Sequence, residues 1–191
     1  MNKNIEIEYK LLLTKEQYDI LKPLFKGPAY QQTNYYFDTK EEKLRLARIT
    51  LRVRLKDDHY EFTLKRSGAV GLDEFNENIS KEDFQHLIHN EEIDSEILEL
   101  LKEYHITLKD LCQIYTLQTY RYDLPYKNGL LSLDKSEYLG VTDYEIEYEV
   151  TKTENAIEDF NAFLKTADVK YVQNCKGKRH RLCDVLYGTP Q

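Results

Sequence analysis

Glutamate, lysine and apolar residues alternate at the start of the chain, in the segment Ile5-Glu6-Ile7-Glu8-Tyr9-Lys10. In a β-strand successive side chains point to opposite faces, so Glu6, Glu8 and Lys10 would share one face. The segment Tyr144-Glu145-Ile146-Glu147-Tyr148 would place further carboxylates together in the same way. Carboxylate oxygens are the ligands that hard divalent cations such as Mg²⁺ and Mn²⁺ prefer. The pattern therefore indicates a metal site built on strands.

Basic residues follow the same alternation in other segments. Arg52 and Arg54 would share one face of a strand, and Lys65 lies on the charged face of the next one. Arg121 and Asp134 add one charge each from two later strands. Guanidinium groups bind phosphate oxygens in bidentate geometry and lysine neutralises them as a point charge. Exposure to solvent would explain the charged face of any one of these strands. The recurrence of charged faces on several strands instead favours a binding site for a metal and a polyphosphate.

This set of segments resembles the CYTH superfamily, the triphosphate tunnel metalloenzymes, whose members include thiamine triphosphatases, inorganic triphosphatases and one class of adenylate cyclases. The resemblance covers residues 5–181 and is carried by a Glu-x-Glu-x-Lys segment, an Arg-x-Arg strand, a lysine strand and a later Glu-x-Glu strand: Glu6, Glu8, Lys10, Arg52, Arg54, Lys65, Glu145 and Glu147. Two family positions each have two candidates. The carboxylate after the lysine strand is Glu74 or Glu77, and the late lysine is Lys176 or Lys178.

The resemblance and the residue types together predict roles for these side chains. The predicted metal ligands are Glu6, Glu8, Glu74, Asp134, Glu145 and Glu147. The predicted substrate-binding residues are Lys10, Arg52, Arg54, Lys65, Arg121, Lys176 and Lys178. The residues expected to act in catalysis are Glu145, Glu147, Lys10, Arg52 and Arg54.

The order of predicted elements is that of an α+β fold. Strands are expected at 4–13, 31–38, 49–56, 59–66, 72–79, 112–124, 129–136 and 141–151, and helical segments at 14–25, 40–48, 81–110, 154–166 and 177–187. Short turn segments between strands indicate antiparallel pairing. Periodicity also permits an open sheet. The family resemblance implies a closed antiparallel eight-stranded β-barrel, a tunnel, with helices packed outside.

Size and composition limit the possible classes of protein. A chain of 191 residues suits a single domain over 1–191, and a net charge of −7 argues against nucleic-acid binding. The sequence contains no hydrophobic segment of membrane-spanning length, so we expect no membrane partner. The three cysteines, Cys112, Cys175 and Cys183, have no paired spacing, which is typical of reduced thiols in a cytoplasmic protein. The oligomeric state is left open.

These observations predict a metal-dependent triphosphatase that hydrolyses the terminal phosphate of a small inorganic or organic triphosphate, with Mg²⁺ or Mn²⁺. The alternative enzyme is an adenylate cyclase that makes cyclic AMP from ATP, but no purine-recognition motif is present. The alternative that is not an enzyme is a non-catalytic module that binds polyphosphate or a nucleotide. The acidic strands argue against it, because phosphate binding alone needs basic groups more than paired carboxylates.

Overall fold

A computed structural model describes the backbone of residues 2–68 and 72–188, and the side chains of these residues from Ile7 onward. The chain divides into two compact units. The first comprises the chain up to Glu6 together with Gln32–Leu117, and the second comprises Ile7–Gln31 and the chain from Gln118 onward. The prediction of one domain over residues 1–191 stays a prediction.

The strands agree closely with those predicted from the alternating pattern. They are β1 (Asn2–Glu6), β2 (Glu8–Leu13), β3 (Tyr30–Thr39), β4 (Thr50–Lys56), β5 (His59–Ser67), β6 (Leu72–Ile79), β7 (Leu111–Tyr126), β8 (Gly129–Tyr138) and β9 (Val141–Val150). The α-helices are α1 (Lys15–Leu21), α2 (Lys43–Leu46), α3 (Lys81–His89), α4 (Glu96–Leu101), α5 (Ala156–Leu164) and α6 (Lys178–Tyr187). Single 3₁₀ turns lie at Lys22–Leu24, Lys102–Tyr104, Leu108–Asp110 and Lys165–Ala167.

The described strands form one sheet in the order β1-β6-β5-β4-β3-β7-β8-β9-β2. The pairs with a described register are all antiparallel, as predicted. The predicted first strand, 4–13, is divided at Ile7, so its two parts pair with different strands: β1 with β6 and β2 with β9. This division gives nine strands among the described residues instead of the predicted eight. The antiparallel sheet is confirmed, and closure of the sheet into a barrel is not.

The first unit has a core beneath β4, β5 and β6. Leu51 and Val53 of β4 alternate with the arginines, and they are fully buried with Phe62 and Leu64 of β5. The hairpin between these two strands turns at Asp57 and Asp58, which both have positive φ angles, 48° and 61°. Two such residues match the right-handed twist of the flanking strands, so this predicted tight hairpin is confirmed.

The helical segment predicted over 81–110 is interrupted. Helix α3 begins at a capping box formed by Ser80 and Asp83 and ends at Asn90, which adopts the left-handed conformation with φ 59°. Residues 90–95 then run without helix until Ser95 caps α4. A left-handed residue ends a helix because it turns the next backbone groups away from the helical hydrogen-bond ladder. The sequence pattern therefore predicted helix in this segment but not this break.

The short helix predicted over 40–48 is reduced to the four residues of α2. The buried carboxylate of Asp38 accepts hydrogen bonds from the backbone N–H groups of Thr39, Leu44 and Arg45, at 2.8, 2.8 and 2.9 Å. The bonds from Leu44 and Arg45 satisfy donors that the start of α2 leaves free. Asp38 therefore holds the end of β3 against α2.

The second unit buries the apolar faces of β8 and β9 against α1 and α5. Leu133, Ile146 and Tyr148 are fully buried there, together with Phe160 of α5. The hairpin between β7 and β8 needs a glycine at Gly129, because a Cβ atom at this position would lie 2.1 Å from the backbone oxygen of Glu149. This packing leaves the opposite face of the two strands to their charged side chains.

Within the described residues, Cys112, Cys175 and Cys183 form no disulfide with one another. Within residues 2–68 and 72–188, no helix has both the length and the apolar character that crossing a membrane requires.

Candidate active site

Three carboxylates meet on the charged face of β8 and β9. Asp134 lies directly opposite Glu145 in the antiparallel register, and Glu147 follows two residues later on the same face. Each offers one oxygen atom, and these atoms lie within 4.8 Å of one another. We call Asp134, Glu145 and Glu147 the carboxylate triangle. Its donor set consists of oxygen atoms alone, which fits a hard divalent cation.

The triangle is removed from solvent. The side chains of Asp134 and Glu145 are 0% exposed, and that of Glu147 is 16% exposed. Burying like charges this close costs several kcal/mol per ion unless opposite charges accompany them. Basic side chains from β7 and α6 supply those charges.

Arg121 of β7 lies opposite Asp134 in the register of β7 and β8. Its guanidinium makes a bidentate contact, with Nε 2.7 Å from Asp134 Oδ1 and Nη2 2.6 Å from Asp134 Oδ2. Nη2 also donates to Glu147. Arg121 therefore fixes the orientation of two of the three carboxylates.

Lys178, the first residue of α6, contacts all three members of the carboxylate triangle. Its Nζ lies 2.8 Å from Asp134 Oδ2 and 2.7 Å from Glu147 Oε1, and it donates a hydrogen bond to Glu145 Oε1. Burial lowers the pKa of Lys178, but the three carboxylates outweigh burial and raise it well above its ordinary value. The ammonium group is therefore held in its charged form.

The two glutamates of the triangle differ in their proton affinity. Burial raises the pKa of Glu145 to about 7 despite the nearby charge of Lys178. Burial also raises the pKa of Glu147, but Lys178 and Arg121 outweigh it and bring that pKa well below the ordinary value. Glu147 is therefore the more firmly ionised of the two carboxylates.

Arg181 was missed by the sequence analysis, although it is part of this charged cluster. It is 8% exposed, and its guanidinium binds Glu145 Oε2 through Nη1 and Asp143 Oδ2 through Nε at 2.8 Å. The available signal was helical spacing: Arg181 follows Lys178 by three residues, which places both on one face of the predicted helix. Both side chains of that face contact carboxylates of β9, Lys178 that of Glu147 and Arg181 that of Glu145.

Lys10 and Glu8 join the cluster from β2. Lys10 lies opposite Glu147 in the register of β2 and β9, and its ammonium donates to the carboxylate of Glu8. Burial lowers the pKa of Lys10, but Glu8 and then Glu147 raise it above its ordinary value. Asn174 fixes the strand by accepting from Lys10 N at 2.8 Å and donating to Glu8 O at 3.0 Å. The side chain of Glu6, a predicted metal ligand, lies outside the described residues.

A separate basic cluster lies in the first unit, on β4, β5 and β6. Lys65 Nζ is 3.0 Å from the carboxylate of Glu74. Burial raises the pKa of Glu74, but the charges of Lys65 and Arg52 outweigh burial and lower it to about 2. Arg54 Nε donates to Asn34 Oδ1 at 3.3 Å.

Arg52 differs from the other basic residues of this cluster. Its side chain is buried, 8% exposed, and its Nε has no hydrogen-bond partner among the described residues. A buried donor without an acceptor costs free energy that an anionic ligand would recover. This atom is therefore suited to an oxygen of a bound phosphate group.

The two candidates for each of the open family positions have different contacts. Glu77 accepts from Ser95 Oγ at 2.8 Å and from the backbone N–H of Ile97, so it holds the start of α4, whereas Glu74 lies with the basic residues. Lys176 pairs with Asp184 at 2.7 Å, and its side chain is 57% exposed. Lys178 is the lysine that contacts the carboxylate triangle. The roles assigned to these side chains in binding and catalysis remain predictions.

Comparison with known proteins identifies the family. The model of the CYTH domain matches residues 4–176. A Bacillus subtilis protein, named "Putative triphosphatase YjbK", is 30% identical over 168 residues, which cover 86% of this chain and 87% of that protein.

Solved structures show the same fold. A "putative adenylate cyclase" from Bacillus halodurans is 36% identical and has a TM-score of 0.86, with coverage of 95% of this chain and 98% of that one. The Hippeastrum protein HpAC1 is 23% identical with a TM-score of 0.77, and the match covers 95% of this chain and 96% of that one. From the extent of the family match and the similarity to YjbK, we conclude that this chain belongs to the CYTH domain family.

Proposed function

We propose that this protein is a metal-dependent triphosphatase that hydrolyses the terminal phosphate of a small triphosphate, inside the closed β-tunnel that the family resemblance implies. The observation that carries the proposal is the carboxylate triangle of Asp134, Glu145 and Glu147, with Arg121 bound to two of its members. Oxygen ligands for a cation and guanidinium groups for phosphate are the two parts that phosphoryl transfer requires.

The proposed metal ligands are the members of the triangle, with Glu6, Glu8 and Glu74 as further predicted contributors. Mg²⁺ and Mn²⁺ suit these hard oxygen donors. A divalent cation bound there would supply Lewis-acid polarisation of a phosphoryl oxygen and lower the pKa of an attacking water.

The basic side chains would bind and orient the anion. Arg52 has a buried donor without an acceptor among the described residues, and Arg54 and Lys65 lie near it on β4 and β5. In the second unit, Lys10, Arg121 and Lys178 carry positive charge beside the carboxylate triangle. Charges fixed before the reaction stabilise the charge that develops on phosphoryl oxygens without further reorganisation. Lys176, which pairs with Asp184, remains a candidate for substrate binding only.

A second enzyme activity is supported by the name of the Bacillus halodurans relative, a "putative adenylate cyclase". A cyclase would use the ribose 3′-hydroxyl of ATP as nucleophile and would release cyclic AMP and pyrophosphate. The name of the Bacillus subtilis relative supports the hydrolase. The side chains that we assign to the site suit a linear polyphosphate and its metal, so we favour hydrolysis.

The test is a substrate panel of tripolyphosphate, thiamine triphosphate and ATP, each assayed with Mg²⁺, with Mn²⁺ and with excess chelator. We expect metal-dependent release of phosphate, with tripolyphosphate cleaved at least as efficiently as ATP and with little cyclic AMP. Cyclic AMP and pyrophosphate from ATP, without cleavage of tripolyphosphate, would establish the cyclase instead. Full turnover in chelator, after verified removal of metal, would refute the metal-dependent mechanism.

A further inference from the structure

The ammonium group of Lys178 lies where a cation bound by the carboxylate triangle would lie. It contacts one oxygen of each of Asp134, Glu145 and Glu147, and its side chain is 12% exposed. A lysine ammonium has three donors, and here each of the three carboxylates receives one contact. The triangle is thus already occupied by a charge that belongs to the chain.

A divalent cation and this ammonium cannot use the same oxygens together. Mg²⁺ holds its oxygen ligands at about 2.0–2.1 Å, closer than an ammonium nitrogen approaches the same atoms. Two positive groups that shared three buried oxygens would also repel each other strongly. Metal entry therefore requires Lys178 to leave the triangle.

The three carboxylates of the triangle are already matched by basic side chains, although one of these, Arg181, also binds Asp143. The triangle contacts three basic side chains, namely Lys178, Arg121 and Arg181. A divalent cation that entered without an anion would leave an excess of positive charge in a buried place. A polyphosphate supplies negative charge and gives the displaced ammonium another partner.

We propose that Lys178 is an internal counter-ion that competes with the metal for the carboxylate triangle. The metal alone then binds weakly, and it binds tightly only together with a triphosphate anion. This inference rests on the proposed function, because it takes the triangle as the metal site. It adds an order of events: displacement of Lys178 couples metal binding to substrate binding.

The test measures Mn²⁺ binding without triphosphate, by calorimetry and by the electron paramagnetic resonance signal of free Mn²⁺. Lys178→Met should bind Mn²⁺ at least tenfold more tightly than the parent protein. Lys102→Met is the control, since it removes an exposed lysine that pairs with Glu99 outside the site, and it should bind Mn²⁺ like the parent. Lys178→Gln provides a second variant that keeps a polar side chain without the charge.

Thermal unfolding in chelator and in Mn²⁺ gives a second measurement. Without Lys178 the carboxylates lose a counter-charge, so Mn²⁺ should raise the melting temperature of Lys178→Met more than that of the parent. Equal or weaker Mn²⁺ binding by both Lys178 variants, with binding abolished by Asp134→Asn, would overturn the competition and leave the metal site intact. Asp134→Asn can be combined with the parent sequence and with Lys178→Met. If it changes Mn²⁺ binding in neither protein, the triangle is not the metal site, and both the proposed function and the competition are refuted.

Discussion

Asp134 and Glu145 lie directly opposite each other on β8 and β9, and both side chains are fully buried. Two carboxylates in such a cross-strand pair repel each other, which ordinarily destabilises a sheet. Here Lys178 contacts both, while Arg121 and Arg181 each hold one of them. The pair therefore persists because α6 and β7 bring basic groups to it. Burying these charges costs free energy, which a role in binding a ligand would explain.

Neutralising either glutamate of the triangle should slow the reaction more than it weakens substrate binding. If Glu145 and Glu147 hold the metal that activates water, Glu145→Gln and Glu147→Gln should each lower kcat by about 100-fold or more, the size of effect seen for lost electrostatic groups at such centres. Glu149→Gln is the matched control, because the exposed Glu149 continues the same acidic strand. Steady-state kinetics with tripolyphosphate and direct binding measurements separate the two effects. Equal losses in binding and turnover would assign the glutamates to substrate-bound metal alone.

Removing the guanidinium of Arg52 should weaken triphosphate binding without unfolding the protein. A lost charge-assisted contact to phosphate costs about 1.5–3 kcal/mol, so we expect roughly a 10-fold to 150-fold weaker affinity for Arg52→Gln. Arg54→Gln should act in the same direction. Calorimetry with tripolyphosphate measures the loss, and the control is Arg45→Gln, which changes an ion pair between α2 and the preceding residue Glu42. Parent-like binding by the folded Arg52 variant would show that this side chain does not meet phosphate.

Replacing Arg181 should reduce stability as well as activity. Its buried contacts with Glu145 and Asp143 would be lost, and breaking a buried ion pair by removing one partner costs about 3–5 kcal/mol. Arg181→Met should therefore unfold at clearly lower urea concentration than the parent. Lys176→Gln removes the exposed ion pair with Asp184 and should cost only about 0–1 kcal/mol. Similar urea midpoints for the two variants would mean that Arg181 contributes no more than a surface residue.

Acid should weaken the first unit through Glu74. The pKa of Glu74 in the folded protein is about 2, below its ordinary value of 4.5, so the unfolded chain binds a proton more readily. The stabilisation from Glu74 is therefore complete above the ordinary value and is lost as the pH falls from about 4.5 towards 2. Urea unfolding across this range should show a steeper loss for the parent than for Glu74→Gln. Parallel pH profiles for the two proteins would show that the contact with Lys65 does not stabilise the fold.

Much of the site was predictable from local pattern. Because side chains alternate between the two faces of a strand, Glu145 and Glu147 lie on one face. The register of the hairpins between β7, β8 and β9 brings Asp134 and Arg121 beside them. The same alternation identified Arg52 and Arg54 on one strand. Alternation is a property of the backbone, so it can be read from consecutive residues without knowledge of the fold.

Other features depend on contacts between residues far apart in the chain. Lys176 and Lys178 differ by two positions, yet only Lys178 reaches the triangle, because α6 begins there and its first turn docks on β9. The capping role of Glu77 likewise arises from where α4 packs, and Arg181 gains its partners from the same docking of α6. The sequence alone thus determined which strands carry charge and on which face. Only the tertiary structure decided which charges meet, because helix docking is set by the burial of whole apolar faces and not by the charged residues themselves.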